Sequence, residues 1–193
     1  MSRLGYSLLE LMVCISLAAL VCGMGAPVVL ATREGVLADG AADYLAAELH
    51  SARMEALKRR ASVAVRFEAE GDDFAIATYV DGNGNGVRAV DISSGDDPSL
   101  GPRRLVRDQF AGVRFGFEPG VPDADGGDTS SDADPIRVGR SRMLSFSPTG
   151  TSSSGTVYLR GRGPHQLAVR VLGGTSRVRT LDFDFGVRKW VTR

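Results

Sequence analysis

The sequence predicts an α+β protein in which one long amino-terminal helix precedes a series of short antiparallel strands. Three patterns point there. An uncharged apolar stretch near the amino terminus passes into apolar residues at helical spacing, and from residue 62 onward short alternating segments are divided by glycine- and proline-rich turns. The 193 residues suit one core plus an extension, and 43% apolar content excludes general disorder.

The helix comes first. Leu11 to Thr32 contains 22 residues without a formal charge, and roughly 20 such residues are enough for a helix to cross a bilayer core. On this reading residues 6–32 form a transmembrane segment. A plain single-pass anchor fits the run, as does a secretory signal peptide cleaved near Val29-Leu30-Ala31. The residues before it distinguish a third reading, because Glu10 places a carboxylate at the edge of a segment entering lipid, where an ionised group is rarely accidental. Pro27, with Gly23 and Gly25, weakens the hydrogen-bond ladder and marks a place for the helix to bend. Cys14 and Cys22 lie about 12 Å apart along a helix, too far for a disulfide, and read as small apolar residues.

Past Arg33, Leu37, Ala41, Leu45, Leu49, Ala52 and Ala56 recur every three or four residues, which predicts an amphipathic helix over 33–60. Joined to the anchor, it makes one helix of roughly 50 residues, weakest between Gly23 and Gly40. Its apolar stripe requires a sheet. Strands are expected at Ser62 to Glu68 and Phe74 to Val80, divided by a turn at Glu70-Gly-Asp-Asp73. Further strands are expected at Gly112 to Phe117, Met143 to Phe146, Thr156 to Arg160, Gln166 to Leu172 and Arg177 to Phe185. Turn signals separate them at Ser147-Pro-Thr-Gly150, Gly161-Arg-Gly-Pro164 and Gly173-Gly174.

At Gly5, Tyr6 and Glu10 the chain resembles the type IV pilin and pseudopilin superfamily, whose short basic leader ends in Gly before an aromatic residue and a Glu. The resemblance implies a leader over residues 1–5, cleavage after Gly5 by a prepilin peptidase on the cytoplasmic side, and methylation of the new Tyr6 amine. Phe is the usual residue at that place, so Tyr6 departs mildly from the pattern. Many of these proteins carry a proline where Pro27 stands. Glu10 is expected to pair with the Tyr6 amine of a neighbouring subunit and set axial register during assembly.

Downstream, Phe146-Ser-Pro-Thr-Gly150, Gly155-Thr-Val-Tyr-Leu159 and Ser176-Arg-Val-Arg179 are similar, in order, to the F-x-P-x-G turn, G-T strand and arginine-bearing strand of the GspH/FimT family. That resemblance implies a pilin-like fold, with the amino-terminal helix packed on an antiparallel β-sandwich and residues 33–193 forming a periplasmic domain that is β-rich over 62–193. It implies a minor pseudopilin of a type II secretion system, held in the bacterial inner membrane by a single helix, with other pseudopilins or pilins as partners in a periplasmic or surface filament. The alternative is a FimT-like minor pilin that binds DNA in natural transformation. Arg177 and Arg179 match the late glycine-arginine-x-arginine motif of such pilins, and Ser176 stands where the glycine belongs; Arg188 and Lys189 extend the basic set.

Charge distribution carries the same alternative. The chain has 23 Lys+Arg and 23 Asp+Glu, but residues 68–135 hold fifteen acids against five bases while 136–193 hold eleven bases against two acids. A basic end of this kind suits phosphates. It equally suits acidic loops of the same or a neighbouring subunit, such as Asp123 to Asp134 with five acids in twelve residues. Asp81-Gly-Asn-Gly-Asn85-Gly86 reproduces the first half of a calcium loop, with Asp81, Asn83, Asn85 and Asp91 as candidate ligands, although Ile92 occupies the twelfth position. The competing reading is a polar turn. No nucleophile elbow, phosphate loop or H-E-x-x-H spacing is present, and His50 and His165 stand apart, so the expectation is a protein that is not an enzyme and needs no cofactor other than that candidate calcium.

Overall fold

The computed structural model describes residues 7–126 and 133–193, and within this range the side chains of 24–31 fall outside the description. Helix α1 runs over Leu8–Arg59, 52 residues. It joins the apolar and amphipathic stretches into the single helix expected. It passes through position 27, and the bend expected at Pro27 falls among side chains outside the described residues. Lys58 and Arg59 in the last turn complement the helix dipole, and Arg60 at φ 55° ends the helix in the left-handed conformation.

Strands β1 (Val63–Glu70) and β2 (Asp73–Val80) form the expected hairpin, paired in register from Val63 with Val80 to Glu70 with Asp73. There follow helix α2 (Ala89–Ser94), β3 (Arg104–Leu105), helix α3 (Val106–Gln109), β4 (Arg114–Phe115) and β5 (Ile136–Arg137). The chain ends with β6 (Met143–Phe146), β7 (Gly155–Arg160), β8 (Gln166–Leu172), β9 (Arg177–Asp184) and β10 (Lys189–Thr192). Two antiparallel sheets result. One has the order β3-β2-β1-β6; the other has the order β10-β9-β8-β7-β4, with β5 also pairing β7.

The core lies where the buried stripe of α1 meets both sheets. Ala38, Ala41, Ala42, Leu45, Leu49, Ala52 and Ala56 pack with Val63, Val65, Leu144, Val157, Leu159, Leu167 and Val169. The alanines let the helix axis approach the sheets. Gly40 makes room for the Phe110 ring beyond α3, since a Cβ there would stand 2.9 Å from it.

The differences from the sequence reading are local. Of Gly112 to Phe117 only Arg114–Phe115 pairs, because Gly112 sits at φ 86° and β4 meets only the last residues of β7. Helix α2 replaces the second half of the calcium-like loop. Strand β10 has no alternating pattern of its own and forms by pairing Lys189 to Thr192 with Asp184 to Leu181.

Candidate functional site

At the amino terminus, Gly5 and Tyr6 lie outside the described residues. Glu10 is exposed in the first turn of α1 with no ion pair or hydrogen bond among the described residues, and its charge there favours the helix dipole. Leu8, Leu9, Leu11, Met12, Val13, Ile15, Leu17, Leu20 and Val21 are all exposed large apolar side chains. Cys14 and Cys22 are free thiols on the same stretch. Among the described residues no helix is long and apolar enough to cross a membrane, and the run from Leu11 to Thr32 includes the side chains of 24–31 that lie outside them.

The Asp81 loop is organised by its own amides. Asp81 accepts from Gly84 at 2.7 Å and Gly86 at 2.8 Å, and Asn83 accepts from Asn85 at 3.2 Å. Asp97, 1% exposed, accepts from Gly82 at 3.1 Å and Arg88 at 2.9 Å and ties the loop to the body. Asp91 sits on α2, and its Oδ2 is buried without a hydrogen-bond partner. No group of three or more His, Cys, Asp or Glu side chains that could hold a metal ion occurs among the described residues.

Of the basic candidates, Arg177 and Arg179 lie on the outer face of the larger sheet, whereas Lys189, opposite Asp184, stands on the other face of its strand and Arg188 in the turn before it. Register places Arg137, Thr156, Arg170 and Arg179 in one row across β5, β7, β8 and β9, and Arg177 stands two residues along β9 from Arg179. Like charges opposite one another are unfavourable, as at Arg170 and Arg179, unless an anion intervenes. The acidic segment supplies it for part of the row. Asp125 lies 2.7 Å from Arg170, and Asp123 lies 3.7 Å from Arg137. Asp134 pairs with Arg142 at 2.9 Å. Arg177, Arg179 and Lys189 are exposed with no ion pair or hydrogen bond among the described residues, while Arg188 donates to the Gly120 carbonyl.

The acidic segment is seated on aromatic residues. Tyr158, Phe117, Ala168 and Leu181 form a second buried cluster with Trp190 and Ala124 against it. The Tyr158 hydroxyl donates to Asp123 at 2.6 Å and accepts from the Ala124 amide at 3.1 Å; the Trp190 indole donates to the Pro122 carbonyl. Burial and the Asp123 carboxylate push the Tyr158 phenol above its ordinary value. Burial also acts to raise Asp123, but the Tyr158 hydroxyl, the Asp125 amide and the arginines outweigh it and hold that carboxyl below the usual range.

Ser176 is fully buried at φ 50°, in the left-handed region that favours glycine, and its hydroxyl donates to the Gly150 carbonyl at 2.7 Å. This bond joins the Phe146-to-Gly150 turn to the start of the Arg177 strand. Sequence reasoning missed Asp97 and the Tyr158 anchor. An acid before Pro98 and an aromatic residue facing away from the core were the available signals.

Residues 41–176 match the family described as type II transport protein GspH. None of the curated proteins and none of the solved structures matches the chain. The matched span covers the buried half of α1 through β8 and stops at Ser176, one residue before Arg177.

Proposed function

Because the chain belongs to the GspH family, we propose that it is a minor pseudopilin, a structural subunit and not an enzyme, built into the pseudopilus of a type II secretion system. The observation that carries this reading is a family-matched head whose α1 continues into an exposed apolar stretch with Glu10 at its tip. Nine exposed large apolar side chains on one uncovered helix demand lipid or other helices around them. The helix holds the subunit in the inner membrane before assembly and packs against neighbouring pseudopilins afterwards, with the head in the periplasm. Prepilin peptidase cuts after Gly5 and the Tyr6 amine is methylated. Glu10 then pairs with that amine on a neighbouring subunit, and the pair fixes axial register.

Mass spectrometry of the protein from membranes tests this. A mature chain starting at methylated Tyr6 is expected; a start near residue 32, as a signal peptidase would leave, overturns it. Glu10→Ala should leave processing intact and abolish filament incorporation.

A second reading, a FimT-like pilin binding DNA, is favoured by one observation: Arg177 and Arg179 share an exposed strand face without counter-ions among the described residues. Gel mobility shift of the full chain in detergent at low salt tests it. Retention that is lost with Arg177→Ala/Arg179→Ala supports DNA contact, and absence of retention removes it.

A further inference from the structure

A cleft of about 430 Å³ opens between the β1–β2 turn, β4 and the β7–β8 turn, at the opposite end of β8 from Arg177. It is lined by Arg107, Arg114, Arg160 and Arg162 together with Asp72, Asp73 and Glu118. Asp72, 73% exposed at its side chain, serves both Arg107 at 3.2 Å and Arg114 at 3.3 Å. Arg114 and Arg160 are directly opposite in register, a repulsive arrangement, and Arg160 donates to the Phe117 carbonyl at 3.2 Å with no ion pair among the described residues. Arg162 has no hydrogen bond or ion pair among the described residues. Glycines make room for both guanidinium stems. A Cβ at Gly112 would stand 2.6 Å from Arg162 Nε, and one at Gly116 would stand 3.1 Å from Arg160 Cδ.

Asp73 supplies the independent observation. It is 2% exposed, and its Oδ1 accepts from the Phe115 amide at 3.1 Å. Its Oδ2 is buried with no hydrogen-bond partner. A buried carboxylate oxygen in that state is unfavourable and calls for a donor. A cationic donor from outside is opposed by the guanidiniums of Arg160 and Arg162, which have no carboxylate partner among the described residues. A fully deprotonated anion suits the guanidiniums but is opposed by Asp73. An oxyanion that keeps one proton satisfies both, with its O–H donating to Asp73 Oδ2 and its charged oxygens accepting from Arg160 and Arg162.

We propose that this cleft binds inorganic phosphate in its hydrogenphosphate form, independently of the assembly role. Inorganic phosphate keeps a P–OH at neutral pH and sulfate keeps none. A phosphate monoester loses its P–OH above pH about 6, so an esterified phosphate is a ligand only on the acid side of that value.

Calorimetric titration of the full chain in detergent with phosphate, and with sulfate at matched ionic strength, tests the proposal. Saturable binding of phosphate and none of sulfate is expected. Arg162→Ala, an exposed position, should weaken phosphate by about tenfold or more through loss of a charged donor. Asp73→Asn should erase the preference over sulfate. Glycerol phosphate separates the sources: no binding at pH 8, with phosphate still bound there, identifies the free ion as the ligand. Equal binding of phosphate and sulfate, binding of neither, equal glycerol phosphate binding at pH 5.5 and pH 8, or phosphate affinity unchanged in Arg162→Ala overturns the proposal. The Arg162 variant decides even where Asp73→Asn fails to fold.

Discussion

The two faces of the larger sheet are made by the same strands and obey different chemistry. On the inner face Val157, Leu159, Leu167, Val169 and Val171 meet α1 in a dry core. On the outer face Thr156, Tyr158, Ala168, Arg170, Arg177 and Arg179 alternate with them, and the acidic segment reaches Tyr158 through Asp123 and Arg170 through Asp125. Strand periodicity of two puts opposite requirements on neighbouring residues. The inner face is held by shape and area, which no change of pH or salt removes. The outer face is held by the smaller Tyr158 cluster, by a few polar bonds and by charge compensation that, among the described residues, stops at Arg170, so stability and surface chemistry separate along a single strand.

The largest loss is expected from the inner face. Leu167→Ala should destabilise the head by about 2–5 kcal/mol, the transfer and cavity terms together, read from the denaturant midpoint. Tyr158→Phe, one residue earlier on the pairing strand β7 and pointing outward, removes the bond to Asp123 and the acceptor for Ala124. A loss of about 1–2 kcal/mol is expected, so an effect as large as that of Leu167→Ala would mean that the two faces are not energetically distinct.

A pH series sharpens the same contrast. The folded Asp123 carboxyl titrates below its unfolded value, so its stabilisation is present above about pH 4 and is lost as pH falls through the folded value. The folded Tyr158 phenol titrates above its unfolded value, so its contribution is full below about pH 10 and is lost as pH rises further. Thermal melts should therefore fall at both extremes, and Tyr158→Phe should flatten each limb in part, because the Tyr79 phenol, also raised by burial and its bond to Glu68, keeps a share of the alkaline one. Limbs unchanged in the variant would place the titrating groups elsewhere.

Ser176→Gly relieves a left-handed residue and removes the bond to Gly150, two effects of roughly 1 kcal/mol and opposite sign. A melting midpoint close to the parent is expected. Smallest of all, Arg177→Ala/Arg179→Ala should change stability by less than about 0.5 kcal/mol, because neither side chain has a partner to lose among the described residues.

Much of this was legible in the residues. The span of α1, the β1–β2 hairpin and the strands at Met143 to Phe146 and Gln166 to Leu172 follow from periods of 3.6 and 2 in the apolar residues and from glycine-rich turns between them, all local signals. Strands β3, β5 and β10 were not legible. Each has two to four residues and exists because a longer neighbour supplies the hydrogen-bond ladder.

For the site, the residues alone place a basic carboxy-terminal part after an acidic middle, and before both an apolar helix with Glu10 near its start. Which arginines are neutralised follows from the folded head. Asp125 reaches Arg170 and Asp72 reaches Arg114, partners more than forty residues apart, while Arg162, Arg177 and Arg179 are left without one among the described residues. The reason is physical. Secondary structure is written in neighbouring residues, whereas the compensation of a charge depends on strand register and on the path of a loop across a sheet, and those are set by the packing of the whole head.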